Sequence, residues 1–149
     1  MKTPARTFSL AFGAVYVLVG LIGFAVTGFD NWFASDSGEF LLWFELNPLH
    51  NVVHLVIGAA LLFGATRPGL ARMTAAVVGG AYLAVGIIGF FATGQAWNIL
   101  SLNVWDNWLH IGTAVLALLA VSAESRGRTA TTTTTTSSAR ERQREMTNA

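Results

Sequence analysis

The sequence predicts an all-α membrane protein: four transmembrane helices, built as a tandem duplicated helical hairpin and gathered into a four-helix bundle. Composition is the first ground, since 53% of the 149 residues are hydrophobic and only 11% are charged, far from the balance of an average soluble domain. Four apolar runs are the second, at 8–28, 48–65, 73–93 and 104–123, each near the ~20 residues that cross ~30 Å of hydrocarbon. The third is an internal repeat, because GAVYVLVGLIGFAVTG (13–28) and GGAYLAVGIIGFFATG (79–94) agree at nine of sixteen positions without a gap.

The first helix, 7–28, follows a short N-terminus, 1–6, that carries Lys2 and Arg6. Its apolar stretch exceeds the about 7 to 15 residues of a signal-peptide core, and FAVTGFDNW is not a small-residue cleavage site. Its internal copy at 79–94 cannot be a signal sequence either, so the helix is expected to be retained. The first outer loop, 29–46, holds Asp30, Asp36, Glu39 and Glu45 and has room for a short interfacial helix near 40–45. Asn47 and Pro48 open the second helix, 47–66, as an N-cap followed by an N1 proline.

A short cytoplasmic loop, 67–72, with proline and glycine beside Arg67 and Arg72, leads into the third helix, 73–94. The second outer loop, 95–102, is ten residues shorter than the first, and the fourth helix spans 103–123. Its start, LNVWDNWLH (102–110), matches LNPLHNVVH (46–54), so the second helices of the hairpins are also copies. The polar Thr- and Arg-rich tail, 124–149, has no apolar periodicity and reads as disordered.

Charge fixes the orientation. All nine Lys and Arg residues lie at the N-terminus, in the 67–72 loop or in the tail, which makes both termini cytoplasmic in a cell membrane. The outer loops carry none, and Trp32, Trp43, Trp97, Trp105 and Trp108 fall in or beside them as a one-sided aromatic belt. A net charge of +1, segregated by topology, offers no nucleic-acid patch, and the absence of cysteine excludes disulfides and thiolate chemistry. Each hairpin has an even number of crossings, so the copies face the same way about a pseudo-two-fold axis along the membrane normal.

Two stripes run along the helices. Gly13, Tyr16, Gly20, Gly23 and Thr27 share one face of the first helix, and Gly79, Tyr82, Gly86, Gly89 and Thr93 repeat them in the third. Small residues on one face are the usual means of close helix packing in lipid. On the even helices, Asn47, Asn51 and His54 share one face, as do Asn103, Asn107 and His110. The glycine face of each odd helix is expected to pack on this polar face, because polar side chains in hydrocarbon must find partners.

The main reading of the polar stripe is a buried structural network in which the asparagines and histidines bond to one another or to backbone. An alternative starts from His50 and His54, spaced i, i+4, and from Asp106 and His110, their equivalents in the second hairpin. Together these offer three imidazoles and a carboxylate to a divalent metal, while His54 and His110 alone could be axial ligands of a haem. A proton or solute path is the third reading.

The stretches FGAVYVLVGLIGF, NPLHNVVHLVIG, YLAVGIIGF and NVWDNWLHIGTAVL, covering about residues 6–122, resemble the actinobacterial multi-pass membrane proteins catalogued as domain of unknown function 4383. That resemblance implies four membrane-spanning helices and no established biochemical activity. The functional expectation is a non-enzymatic structural or accessory protein, since no helix carries a nucleophile, base and orienter together. The alternatives are a metal- or haem-binding redox partner using His54 and His110, and a small transporter. Lipid is the expected partner, with a homo-oligomer or another membrane protein beside it.

Overall fold

The computed structural model describes residues 3–147, with side chains at all of these except 127–139, 141, 142 and 145. Four helices make the bundle: α1 (Pro4–Thr27), α2 (Pro48–Gly64), α3 (Pro68–Ala92) and α4 (Val104–Thr147). Between α1 and α2 lies a two-stranded hairpin, β1 (Phe40–Leu41) and β2 (Phe44–Glu45). The expected disorder of 124–149 falls mainly on residues whose side chains lie outside those described, Arg128 and Arg142 among them.

All three prolines of the chain stand at the first position of a helix. There the missing N–H is no loss and the fixed φ is already helical. Thr3 caps α1 by accepting from the Arg6 N–H at 3.3 Å, and Asn47 caps α2 by accepting from the His50 N–H at 2.9 Å. Pro68 also explains a correction: α3 starts there and not at 73, so most of the expected 67–72 loop is helix. The connection shrinks to residues 65–67, and Arg6 Nε donates to the Ala65 carbonyl at 2.8 Å, closing the C-terminal end of α2.

A second correction concerns 40–45, where the expected interfacial helix is instead a β-hairpin. Phe40 pairs with Glu45 and Leu41 with Phe44, and Leu42 turns the chain at φ 61°. Six residues behind Gly38, itself at φ 68°, are too few to nucleate a helix. The buried Glu45 carboxylate moreover draws the segment inward, accepting from the Ser37 N–H at 2.6 Å and the Gly38 N–H at 3.1 Å.

Among the described residues three helices are long and apolar enough to cross a membrane: Pro4–Thr27, Pro68–Ala92 and Val104–Arg126. The fourth, α2, is apolar but has 17 residues. The helices pack in two close pairs, α1 on α2 and α3 on α4. A Cβ at Gly58 would stand 2.7 Å from the Val17 nitrogen and 2.8 Å from the Gly13 carbonyl oxygen, and one at Gly20 would stand 2.8 Å from the Asn51 carbonyl oxygen. In the second pair a Cβ at Gly86 would meet Ile111 Cγ1 at 2.8 Å.

Where the pairs meet, Tyr16 and Tyr82 cross edge to face at 5.3 Å, within a core that also holds Phe8, Leu61, Val78, Ala114 and Ala117. Apolar side chains such as Leu18, Leu21, Val56, Phe63, Val77 and Leu119 point outward, the pattern expected of a surface that meets lipid. The chain is thus a multi-pass helical bundle with a membrane-like exterior.

Gly58 and Gly80 make a matched test of this packing. Gly58→Ala should destabilise the bundle by about 1–3 kcal/mol, because the backbone atoms it strikes cannot give way. A Cβ at Gly80 meets nothing within 4 Å, so Gly80→Ala should leave stability unchanged or raise it by up to about 1 kcal/mol. Thermal unfolding of both variants in detergent reads the difference.

Candidate metal centre

The four asparagines of the polar stripe act as structural fasteners. Asn51 sets its side-chain amide where a Cβ at Gly23 would be and donates from Nδ2 to Thr27 Oγ1 at 2.9 Å. Asn107 repeats this over Gly89, donating to Thr93 Oγ1 at 3.3 Å. Thr27 and Thr93 are therefore the acceptors of the glycine face, while Gly13 and Gly79 admit Leu62 and Ala117 lower down.

Asn47 and Asn103 cap their helices and also bind across the outer end of the bundle. From Nδ2, Asn47 donates to the Ala34 and Ile99 carbonyls at 2.9 and 2.8 Å, and Asn103 to the Trp43 carbonyl at 2.8 Å. The outer loops are joined further by Asn98, which donates to the Ser35 and Leu102 carbonyls at 3.3 and 2.9 Å. Ser101 Oγ donates to the Glu45 carboxylate at 3.0 Å. A knitted lid results, folded from both loops and the β-hairpin.

Under that lid the histidines come together. His50, His54 and His110 each offer one ring nitrogen, and these three atoms lie within 4.8 Å of one another. The residues are only 1%, 4% and 4% exposed. The ring centroid of His50 stands 4.5 Å from that of His54 and 6.2 Å from that of His110. Tyr16 stacks on His54 at 5.3 Å with 7° between the planes, and Tyr82 meets His110 edge-on at 4.7 Å. A floor of two tyrosines thus supports a triangle of imidazoles, with Tyr16 held in place by donating to Thr113 Oγ1 at 3.0 Å.

Apart from the His50 N–H that Asn47 accepts as a helix cap, no hydrogen bond joins the histidines to the asparagines among the described residues: the asparagine amides bond to backbone and to threonine, and the imidazole rings stand outside that network. Both ring nitrogens of His50 and Nδ1 of His54 and His110 are buried without a well-formed hydrogen bond. The carbonyls of Glu45 and Leu100 lie beside His50, and that of Asp106 beside His110. Buried polar groups seldom go unpartnered. The three rings instead face one another, one nitrogen of each lying within 4.8 Å of the other two.

Asp106 does not join the triangle, a second correction. It stands third in α4, where its Oδ2 accepts from the Asn103 N–H at 3.2 Å while Asn103 Oδ1 accepts from the Asp106 N–H at 3.1 Å. That is a reciprocal capping box. A carboxylate at this place reaches back to the N-cap amide, whereas the imidazole of His50, at the same place in α2, turns inward.

Sequence reasoning assigned Tyr16 and Tyr82 only to packing and overlooked Glu45, Asn98 and Ser101 as builders of the lid. The tyrosines had a signal in the repeat, which carries one Tyr in each hairpin, Tyr16 and Tyr82, beside one matched His, His54 and His110. The lid residues had none, since their partners lie up to 64 positions away.

Glu45 offers a test of the lid. Replacing it with alanine strips the Ser37, Gly38 and Ser101 donors of a buried charged acceptor, so Glu45→Ala should cost about 2–3 kcal/mol of stability. Glu45→Gln, which keeps an oxygen acceptor, should cost less. Thermal unfolding compared across the two variants decides this.

No curated protein and no solved structure shows a significant match to the chain. The profile of one family, described as Domain of unknown function (DUF4383), matches residues 6–122. That span takes in both helical hairpins, the lid and all three histidines, and the chain therefore belongs to the DUF4383 family.

Proposed function

We propose that this protein is a multi-pass membrane protein that holds one divalent transition-metal ion, zinc foremost, on His50, His54 and His110. The observation that carries the reading is the convergence of three buried ring nitrogens to within 4.8 Å. A zinc ion about 2.0 Å from each nitrogen sets them about 3.3 Å apart, a distance reached by small rotations of the rings. Imidazole suits zinc, copper and nickel and disfavours calcium and magnesium, which take oxygen. The Glu45, Leu100 and Asp106 carbonyls beside the rings are acceptors of the kind that orient metal-bound histidines.

A haem does not fit. Its axial imidazoles must stand on opposite faces of a flat macrocycle, and here His50 fills the space beside His54 and His110. The role is one of binding and not of turnover: the centre is buried beneath a hydrogen-bonded lid, and Asp106, the nearest acid on α4, is committed to capping. The asparagine stripe retains its structural role beside it.

The reading places all four helices across the membrane with both termini cytoplasmic. At 1.5 Å per residue α2 is about 26 Å long, near the hydrocarbon thickness, and it is paired along its length with α1. The arginines at the 65–67 turn and at the N-terminus, against none in the outer loops, give the orientation.

The metal reading is tested by elemental analysis of protein purified from membranes without chelator. One metal per chain is expected, falling to background in His54→Ala/His110→Ala, and a chelator should lower the melting temperature of the unsubstituted protein alone. A metal-free protein that also fails to take up zinc or cobalt at stoichiometric concentration would sink the reading. Topology is tested separately by introducing single cysteines into this cysteine-free chain. In intact cells an impermeant maleimide should label Gln95→Cys and leave Thr66→Cys unlabelled, and the reverse pattern would invert the orientation.

A further inference from the structure

A cavity of about 240 Å³ lies between α1 and the outer part of α4, roofed by the β-hairpin. Phe12 and Val19 form its α1 wall, Leu109 its α4 wall and Phe44 its roof, with the His54 ring at the back. We propose that it takes up one hydrocarbon chain of a bilayer phospholipid. This inference goes beyond the metal centre and does not depend on it.

The lining exposes no polar atom to the cavity. Tyr16, His54, Asp106 and Thr113 border the cavity without turning a polar atom into it, so it offers water little to bond, and apolar cavities of about 150 Å³ stay dry and accept apolar guests instead. Its mouth opens between Val15, Leu42 and Leu109, which are 50%, 73% and 41% exposed. Val15 and Leu109 belong to the outward faces of two helices apolar enough to cross a membrane. What stands at the door is therefore lipid.

The space has a structural cause. Glycines bring α1 onto α2 and α3 onto α4, whereas no glycine among the described residues makes such a contact across the seam between α1 and α4. The Tyr16–Thr113 hydrogen bond ties the seam at 3.0 Å and the β-hairpin covers its outer end. Between these two fastenings the helices stay apart. A cavity of about 240 Å³ is too small for a second protein helix, about 10 Å across, but has room for a length of one flexible acyl chain.

The test uses the full chain in phosphatidylcholine vesicles carrying a trace of phospholipid with a diazirine in its acyl chain. After irradiation, mass spectrometry of the digested protein should show label at Phe12, Val19 and Leu109 several-fold above that at Leu18, Ile22 and Leu116, which are more exposed on the same helices. Val19→Phe fills the cavity and should abolish that enrichment while leaving the surface label unchanged. Leu109→Phe closes the same space from α4 and replaces it if Val19→Phe fails to fold. Even labelling of cavity and surface, or an enrichment that a folded cavity-filling variant leaves intact, overturns the proposal.

Discussion

The bundle depends on how closely α1 approaches α2 and α3 approaches α4. Burying apolar surface gains little between helices already surrounded by hydrocarbon, so close backbone approach and its many small dispersion contacts are the attraction. Gly20 and Gly58 permit that approach in the first pair, and Asn51 fits its amide over Gly23. This one contact sets both the rotation and the axial register of α2. With Asn51 turned toward α1, His54 and Gly58 follow on the buried face and Val56 is left outside. The Asn107 contact over Gly89 does the same for α4 and His110.

The repeat made much of this legible in advance. Glycine, tyrosine and threonine at matching positions identified the packing faces of α1 and α3, and Asn47 before Pro48 marked a helix start that the cap geometry shows. The division of labour within the polar stripe was not legible. On a helical wheel Asn51 and His54 share one face, and only the tertiary packing sends the amide to Gly23 and the imidazole toward His50 and His110. The hairpin at 40–45 was hidden for a similar reason. Its apolar residues suit a surface helix, and the anchor that decides otherwise, Glu45, finds Ser101 from 56 positions away.

The outer end shows how a dry interior and a wet surface are joined. Backbone groups of two irregular loops would be costly at the membrane boundary if left without partners. Asn47, Asn98, Asn103 and Glu45 bind them from within. Because Asn47 and Asn103 are also helix caps, the lid is continuous with the helices that carry the histidines. Loop and histidine geometry are consequently coupled, and His50, three residues beyond the Asn47 cap, is held by the same fastening that closes the loops.

One consequence of the duplication concerns number. Two identical hairpins around a two-fold axis can offer ligands only in pairs, one from each copy of a position. His54 and His110 are such a pair, but the counterpart of His50 in the second hairpin is Asp106, an unlike residue. A triangle of three imidazoles therefore cannot be assembled from two copies of either hairpin: two of the first would bring four histidines, and two of the second only two. The odd histidine makes the proposed centre a property of the joined chain, and ties it to a position at which the two halves are unlike.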